Sequence, residues 1–185
     1  KMEKLANEYF SKGKLDVTLI RAPWFYGPFQ PDRQKLFFEM IRNGKVPIVG
    51  SGKNMRSMAY TENLVQGMIL SATKQIASGK TYWIADRSPY SMNEIVDTIE
   101  RIMEYKLNLS VKHGRIKLPG FVSDFAQICD YLVQSFGLYH QKIHVLSEMN
   151  KNIACSINLA ESELGYAPEY SLENGMEVSL REFYC

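Results

Sequence analysis

Leu15-Asp16-Val17-Thr18-Leu19-Ile20-Arg21 runs straight into Ala22-Pro23-Trp24-Phe25-Tyr26-Gly27-Pro28, and this stretch decides the fold. Its first seven residues are β-rich and mostly apolar, as a strand covered on both faces should be. Two prolines and a glycine then stop it, because proline has no N–H to give a ladder. In open α/β sheets ligands sit beyond the carboxyl ends of the strands. The aromatic run Trp24-Phe25-Tyr26 therefore either lines a pocket or fills a junction between lobes.

Helical patterns flank this strand. Upstream, Leu5, Ala6, Tyr9 and Phe10 recur at helical spacing and Gly13 closes the helix. The chain starts at Lys1 inside that pattern, so further sequence is expected upstream and 185 residues reads as the length of a piece. Downstream, Pro31 and Asp32 suit a first turn, Leu36, Phe37, Met40 and Ile41 form an apolar stripe, and Gly44 suits the C-cap. Residues 46–49 read as a short strand before the turn Gly50-Ser51-Gly52, and residues 57–60 as an extended piece. Thr61 is the expected cap of a helix whose apolar positions are Leu64, Val65, Met68, Ile69 and Ala72.

Residues 81–85 form another strand. Ser91-Met92-Asn93-Glu94 has the capping-box pattern, with Ile95, Ile99, Ile102 and Met103 behind it. A strand is expected within 107–118, then Pro119 and Gly120 break the chain. Residues 121–136 read as an amphipathic helix about 24 Å long at ~1.5 Å per residue, interrupted by Asp124, Gln127 and Asp130. It is too polar to span a bilayer and has no basic residue to hold anionic lipid. Gly165 and Pro168 close a short helix opened at Asn158, and Ser171 caps the last helix, with Leu172, Met176 and Phe183 inward. The order predicts an α/β architecture with an appended, mostly helical lobe.

Composition narrows the function. Hydrophobic residues make up 45% and charged residues 23%, which excludes a disordered, collagen-like or coiled-coil chain. The 22 basic and 20 acidic residues leave a net charge of +2, without the basic excess of a nucleic-acid binder. No run approaches the roughly 20 apolar residues of a membrane span. Cys129, Cys155 and Cys185 are odd in number and widely spaced, so neither a disulfide framework nor a zinc ribbon is supported, and a reducing, cytoplasmic setting is expected. His140 and His144 sit four apart, but Gln141 stands where a zinc protease carries Glu, and the pair reads as a solvated helix face.

Chemistry-bearing motifs are few. Gly50-Ser51-Gly52-Lys53-Asn54 fails as a phosphate loop: Pro47 stands where the first glycine belongs, and no Ser or Thr follows Lys53. No glycine-rich dinucleotide fingerprint follows a strand. Arg56, between a glycine turn and a helix start, can hold a phosphate bidentately or lie on the surface, and Arg33 shares that ambiguity.

Taken together, these segments resemble the second half of an extended short-chain dehydrogenase/reductase of the NAD-dependent epimerase/dehydratase family. Val17-Thr18-Leu19-Ile20-Arg21 through Tyr26-Gly27-Pro28 resembles its sixth strand and Tyr-Gly-Pro ending. Gly44 to Gly52, followed by Arg56-Ser57-Met58-Ala59-Tyr60-Thr61-Glu62-Asn63-Leu64, resembles its "G-x-G … R-S-x-x-Y-V-x-D-L" segment. Residues 81–94 resemble the next strand and "S-x-x-E" helix. Leu164-Gly165-Tyr166-Ala167-Pro168 with Ser171-Leu172-Glu173-Asn174-Gly175 resembles the "L-G-Y-x-P … S-L-E-E-G" ending.

The resemblance implies a Rossmann-like parallel sheet, of which only the later strands are present, with a helical C-terminal substrate-binding lobe. Residues 1–30 and 61–105 would belong to the core, and 31–60 and 106–185 mainly to the lobe. It implies NAD or NADP as cofactor and a Tyr-x-x-x-Lys pair upstream. If Glu3 is the Glu that commonly follows that Lys, the Lys lies two residues before Lys1; in the other register Lys1 is the Lys itself. Ala22 and Pro23 would pass the nicotinamide, Trp24 and Tyr26 would line the substrate cavity, Ile48 and Val49 would sit near a nucleotide base, and Arg56 would grip a nucleotide-sugar diphosphate. The implied partner is a small molecule, a nucleotide-sugar, with a homodimer compatible. Alone, the chain is expected to be inactive and to bind NAD weakly.

Departures divide the substrate assignment. Trp24 stands where sugar-nucleotide enzymes often have Asn, Asn63 replaces a common Asp, and Ser156 replaces another. The Glu62-Asn63 pair and the helix after Pro119 look more like the 3β-hydroxysteroid dehydrogenase branch, which usually lacks an Arg at position 56. An oxidoreductase of an apolar alcohol and a non-catalytic binding module therefore stand as rivals.

Overall fold

The structure is a computed structural model that describes residues 1–185, except for the side chains of Arg33, Gln141 and Lys142. In chain order the elements are α1 (Met2–Ser11), β1 (Leu19–Arg21), β2 (Trp24–Tyr26), α2 (Asp32–Arg42), β3 (Val46–Val49), β4 (Met55–Arg56) and β5 (Met58–Tyr60). Then come α3 (Thr61–Thr73), β6 (Thr81–Trp83), β7 (Tyr90–Ser91), α4 (Met92–Arg101), β8 (Arg115–Leu118), α5 (Phe121–Ser135), α6 (Gln141–Glu148) and α7 (Leu172–Tyr184). The chain is α/β, with parallel pairs β1–β6, β2–β5 and β3–β8 and one antiparallel pair, β4–β7. No helix among the described residues is long and apolar enough to cross a membrane.

Two compact units interleave along the chain. The first takes Lys1–Pro28, Ser57–Pro89 and Ala154–Ser179; the second takes Phe29–Arg56, Tyr90–Ile153 and Leu180–Cys185. Residues 90–105, which the sequence reading assigns to the core, fall in the second unit, and 154–179, assigned to the lobe, fall in the first.

The decisive strand of the first unit differs from expectation in two ways. Only Leu19–Arg21 is strand, and it is half-buried, because β6 is its one neighbour among the described residues. Proline does not end the extended run either. Pro23 cannot donate to the β1 ladder, and Trp24–Tyr26 resumes as β2 against a different strand, β5. The core here gathers Tyr82, Ile84, Ala85, Ile157, Leu164 and Tyr166. Gly27 of the Tyr-Gly-Pro run has no room for a side chain, since a Cβ would collide with Thr61. Gly175 is constrained likewise: a Cβ there would lie 2.5 Å from Tyr60 Cδ2.

Helix α3 corrects two expectations. Its N-cap is Tyr60, without a side-chain cap, and Thr61 is already inside the helix. The buried face is Asn63, Gly67 and Ser71, while Val65, Met68, Ile69 and Ala72 are exposed. Small and polar residues take the most buried positions, where close approach and hydrogen bonding hold the helix, while the expected Leu64 and also Leu70 are half-buried against the core cluster. Ser71 Oγ donates to the Gly67 carbonyl at 2.8 Å, and Asn63 enters the network described below.

In the second unit the capping box of α4 is present: Glu94 N–H donates to Ser91 Oγ at 3.1 Å and Ser91 N–H to the Glu94 carboxylate at 3.4 Å. Ile95, Ile99, Ile102 and Met103 are fully buried behind it. The buried stripe of α2 is Gln34, Phe38 and Ile41, with Leu36 exposed, because Phe38 packs on Phe183 at 6.3 Å between ring centres. Of the strand expected in 107–118, residues 115–118 form β8 beside β3. Phe29 adopts φ 58° with its side chain 85% exposed. A bulky residue in the left-handed region is strained, and no packing offsets it. Phe29→Gly should stabilise the chain by about 0.5–1 kcal/mol despite the greater freedom of glycine when unfolded, as read from urea midpoints.

Candidate functional site

The first unit holds the consecutive residues Ala22, Pro23, Trp24 and Tyr26. Ala22, at the carboxyl end of β1, is exposed, and Pro23 and Trp24 are half-buried. The nicotinamide ring implied by the resemblance needs an accessible surface without competing charge, and the Ala22-Pro23 link fits that requirement. Trp24 pairs in register with Met58 on β5.

Tyr26 is 2% exposed and its hydroxyl donates to Asp86 Oδ2 at 2.8 Å, with the Ser171 carbonyl 3.3 Å away. Asp86 is itself buried and accepts two more bonds on Oδ1, from Tyr60 N–H at 2.9 Å and Asn63 Nδ2 at 2.8 Å. Asn63 completes the network: Nδ2 also donates to the Tyr170 carbonyl at 2.9 Å, while Oδ1 accepts from the N–H groups of Glu169 at 3.0 Å and Tyr170 at 3.1 Å. Tyr26 thus spends its polar end on the fold. Asp86 is the residue the sequence reading missed. Its one signal was an acidic residue closing an apolar strand, Thr81 to Ala85.

The second unit holds Ile48, Val49 and Arg56. Ile48 and Val49 are buried in β3. Ile48 borders a cavity of about 560 Å3 that is also lined by Ser51, Asn93, Asp97 and Arg115; Val49 and Arg56 are not among its lining residues. Arg115 is committed there, paired with Asp97 and, at 3.2 Å, with Glu100.

Arg56 is set by three neighbours. Its strand β4 pairs with Tyr90 on β7, the main chain bridges to Ile153, and Nη2 donates to the Glu148 carbonyl at 2.6 Å. Asn54 and Met55 anchor the same segment, Asn54 Nδ2 donating to the Met149 carbonyl at 2.9 Å and Met55 N–H to Asn152 Oδ1 at 2.7 Å. The guanidinium is half-buried, and among the described residues no carboxylate lies within salt-bridge distance. Burial pushes it below its ordinary value and the nearby Glu148 carboxylate opposes that shift; it stays cationic at neutral pH. The side chain of Arg33, the other arginine singled out from sequence, lies outside the described residues.

His140 is exposed at the N-cap of α6, while His144 departs from a solvated face. His144 sits on α6 with Nδ1 2.8 Å from Asp130 Oδ2 on α5, and this hydrogen bond raises the imidazole and lowers the carboxyl from their ordinary values. The sequence reading gives α6 no bounds beyond the helix face shared by His140 and His144.

Residues 1–115 match the 3-beta hydroxysteroid dehydrogenase/isomerase family. The chain is 48% identical over 95% of its length to the uncharacterized protein y4nL of Sinorhizobium fredii, covering 49% of that protein. It is 29% identical over 97% of its length to the N-acetyl-alpha-D-glucosaminyl-diphospho-ditrans,octacis-undecaprenol 4-epimerase of Escherichia coli O157:H7, covering 53% of it. The chain therefore spans about half the length of the curated relatives it matches. The fold is similar to that of UDP-glucuronic acid 4-epimerase from Bacillus cereus solved with NAD, at TM-score 0.67 and 20% identity, over 97% of this chain and 48% of that one. On the family match over residues 1–115, the chain belongs to the 3-beta hydroxysteroid dehydrogenase/isomerase family, among the extended short-chain dehydrogenase/reductases.

Proposed function

We propose that this chain supplies substrate-side residues of an NAD(P)-dependent epimerase, dehydratase or reductase acting on a nucleotide-linked sugar. Arg56 carries this reading. A half-buried guanidinium, oriented by a main-chain carbonyl and with no carboxylate within salt-bridge distance among the described residues, is what an anionic ligand group requires. One of its five N–H donors is committed to Glu148, and the rest suit the oxygens of a diphosphate. A lysine would not replace it, since its ammonium lacks the planar fork.

The other residues bind and orient. In the second unit Arg56 holds the diphosphate and Ile48 offers an apolar edge to the base. In the first unit Ala22 and Pro23 give the nicotinamide a surface without charge, and Trp24 offers an aromatic face to the sugar. NAD(P), when bound, supplies the hydride chemistry. The names of the relatives support this reading: one acts on a sugar diphosphate and one was solved with NAD.

A second reading, an oxidoreductase of an apolar alcohol, is favoured by the family match over residues 1–115. Calorimetric titration of the chain with UDP-glucose separates the two. Arg56→Ala should weaken binding by about 10- to 100-fold, the worth of a charge-assisted hydrogen bond of ~1.5–3 kcal/mol. Equal affinity in both proteins, or none in the wild type, sinks the nucleotide-sugar reading.

A further inference from the structure

We propose that His144 is a positioning residue for the anion site at Arg56, an inference that rests on the reading of Arg56 above. While protonated, His144 holds the Glu148 carboxylate back from the guanidinium and leaves Arg56 open to a diphosphate. All the groups involved lie in the second unit. Helix α5 meets α6 through its polar side, while its Phe125 and Leu132 are exposed. Ser123 Oγ donates to the Ser147 carbonyl at 2.9 Å. His144 Nδ1 lies 2.8 Å from Asp130 Oδ2, which also accepts from Gln134 Nε2 at 2.8 Å. Asp130 is only 7% exposed, and among the described residues its other oxygen finds no hydrogen-bond partner. A carboxylate so enclosed needs its cation, which fixes the Nδ1–H of His144 on Asp130. Nε2 is thereby turned toward Glu148, whose Oε1 lies 3.9 Å away.

Glu148 closes α6. A helix C-terminus is the negative end of the helix dipole, so a carboxylate there depends on nearby cations. His144 stands one turn back, at the pairing distance of a helix. Arg56 stands on the other side. Its Nη2 donates to the Glu148 main-chain carbonyl at 2.6 Å, and it feels the Glu148 charge without a carboxylate oxygen in salt-bridge range. The carboxylate therefore has two cations to choose between. The main chain around them is anchored, with Asn54 Nδ2 on the Met149 carbonyl and Met55 N–H on Asn152 Oδ1. The Glu148 side chain is 43% exposed and is the part free to swing.

Protonation of His144 decides the choice. Among the described residues, the charged groups that face the imidazole are Asp130 from α5, Glu148 from α6 and Lys151 from the turn that follows. The Tyr139 ring packs on it at 5.5 Å between ring centres. The hydrogen bond to Asp130 raises the imidazole above its ordinary value, and burial and Lys151 oppose that shift. His144 thus keeps its charge through about pH 6.5 and loses it as pH passes the raised value. Glu148 is then released, and its carboxylate competes with the ligand for Arg56. Anion affinity falls as pH rises through the His144 titration.

Calorimetry with UDP-glucose, whose diphosphate keeps its charge across the window, tests this at about pH 6 and about pH 8.5. Wild type should bind about two- to fivefold more weakly at the higher pH, the scale of a half-exposed ion pair. His144→Gln should hold the weaker affinity at both pH values. Glu148→Gln should hold the tighter one, and its exposed position keeps the test open should the first variant misfold. A pH dependence that survives in both variants overturns the proposal. The ligand-free chain separates the positioning role from the nucleotide-sugar reading. By NMR, the Arg56 Nε–H resonance should follow the His144 titration in wild type and stand still in His144→Gln. A resonance that ignores the titration overturns the positioning role even where UDP-glucose binds. A resonance that follows it in a chain that binds no UDP-glucose upholds the positioning role and sinks the nucleotide-sugar reading.

Discussion

Asp86→Ala is expected to lower the stability of the chain by about 3–5 kcal/mol, the cost of leaving buried donors without their acceptor. Three donors lose it at once: Tyr26 hydroxyl, Tyr60 N–H and Asn63 Nδ2. Tyr26 and Tyr60 are 2% and 1% exposed, so water cannot substitute without opening the unit. The methyl group also leaves a void between segments far apart in sequence, which relax only in part. Urea unfolding with unchanged m-value and a fall in Tm on the order of 10 °C would agree. A loss below about 1 kcal/mol would show that these donors find other partners, and the network would lose its standing as the keystone of the first unit.

Asn63→Asp, almost isosteric, is expected to cost about 2–4 kcal/mol at pH 7. The native amide uses both ends, donating to Asp86 and the Tyr170 carbonyl and accepting from two main-chain N–H groups. A carboxylate keeps the accepting end. At the other end it sets an oxygen against the Asp86 carboxylate, and two carboxylates at hydrogen-bond distance do not both ionise. The folded variant therefore holds a proton that the unfolded chain, whose aspartate titrates near ~3.9, releases. The introduced carboxyl has a raised folded-state pKa, so the deficit against wild type is smallest below about pH 4 and grows as pH rises through the raised value. Paired urea titrations across that window measure it; a pH-independent deficit rejects the shared proton. This geometry also explains why Asn stands at a position where the resembling family often carries Asp.

The two glycine motifs show how far local sequence reaches. Tyr26-Gly27-Pro28 and the glycine of Ser171-Leu172-Glu173-Asn174-Gly175 are readable as motifs, but their cause is tertiary. Gly27 yields to Thr61 and Gly175 to Tyr60, both distant in sequence. The outward apolar positions of α3 and α5 have a related reason. Periodicity locates a stripe, and the usual rule turns it inward. In these helices hydrogen bonds at Asn63, Ser123 and Asp130 hold the inner face, joined in α3 by the half-buried Leu64 and Leu70. The cap of α3 at Tyr60 instead of Thr61 is a boundary effect of one residue, decided where β5 ends.

By itself the sequence determined the alternation of helix and strand, the capping box at Ser91 and the buried isoleucines of α4. These depend on neighbours within a turn or two, where spacing and side-chain chemistry act directly. Only the tertiary structure decided that Trp24–Tyr26 is a second strand, that Tyr26 and Asn63 converge on Asp86, that Arg56 is oriented by Glu148, and that α5 faces its apolar side outward. Each of these is a meeting of segments at least 23 residues apart or a choice of which helix face is covered. Spacing along one strand or helix says nothing about what arrives from elsewhere to satisfy a buried polar group.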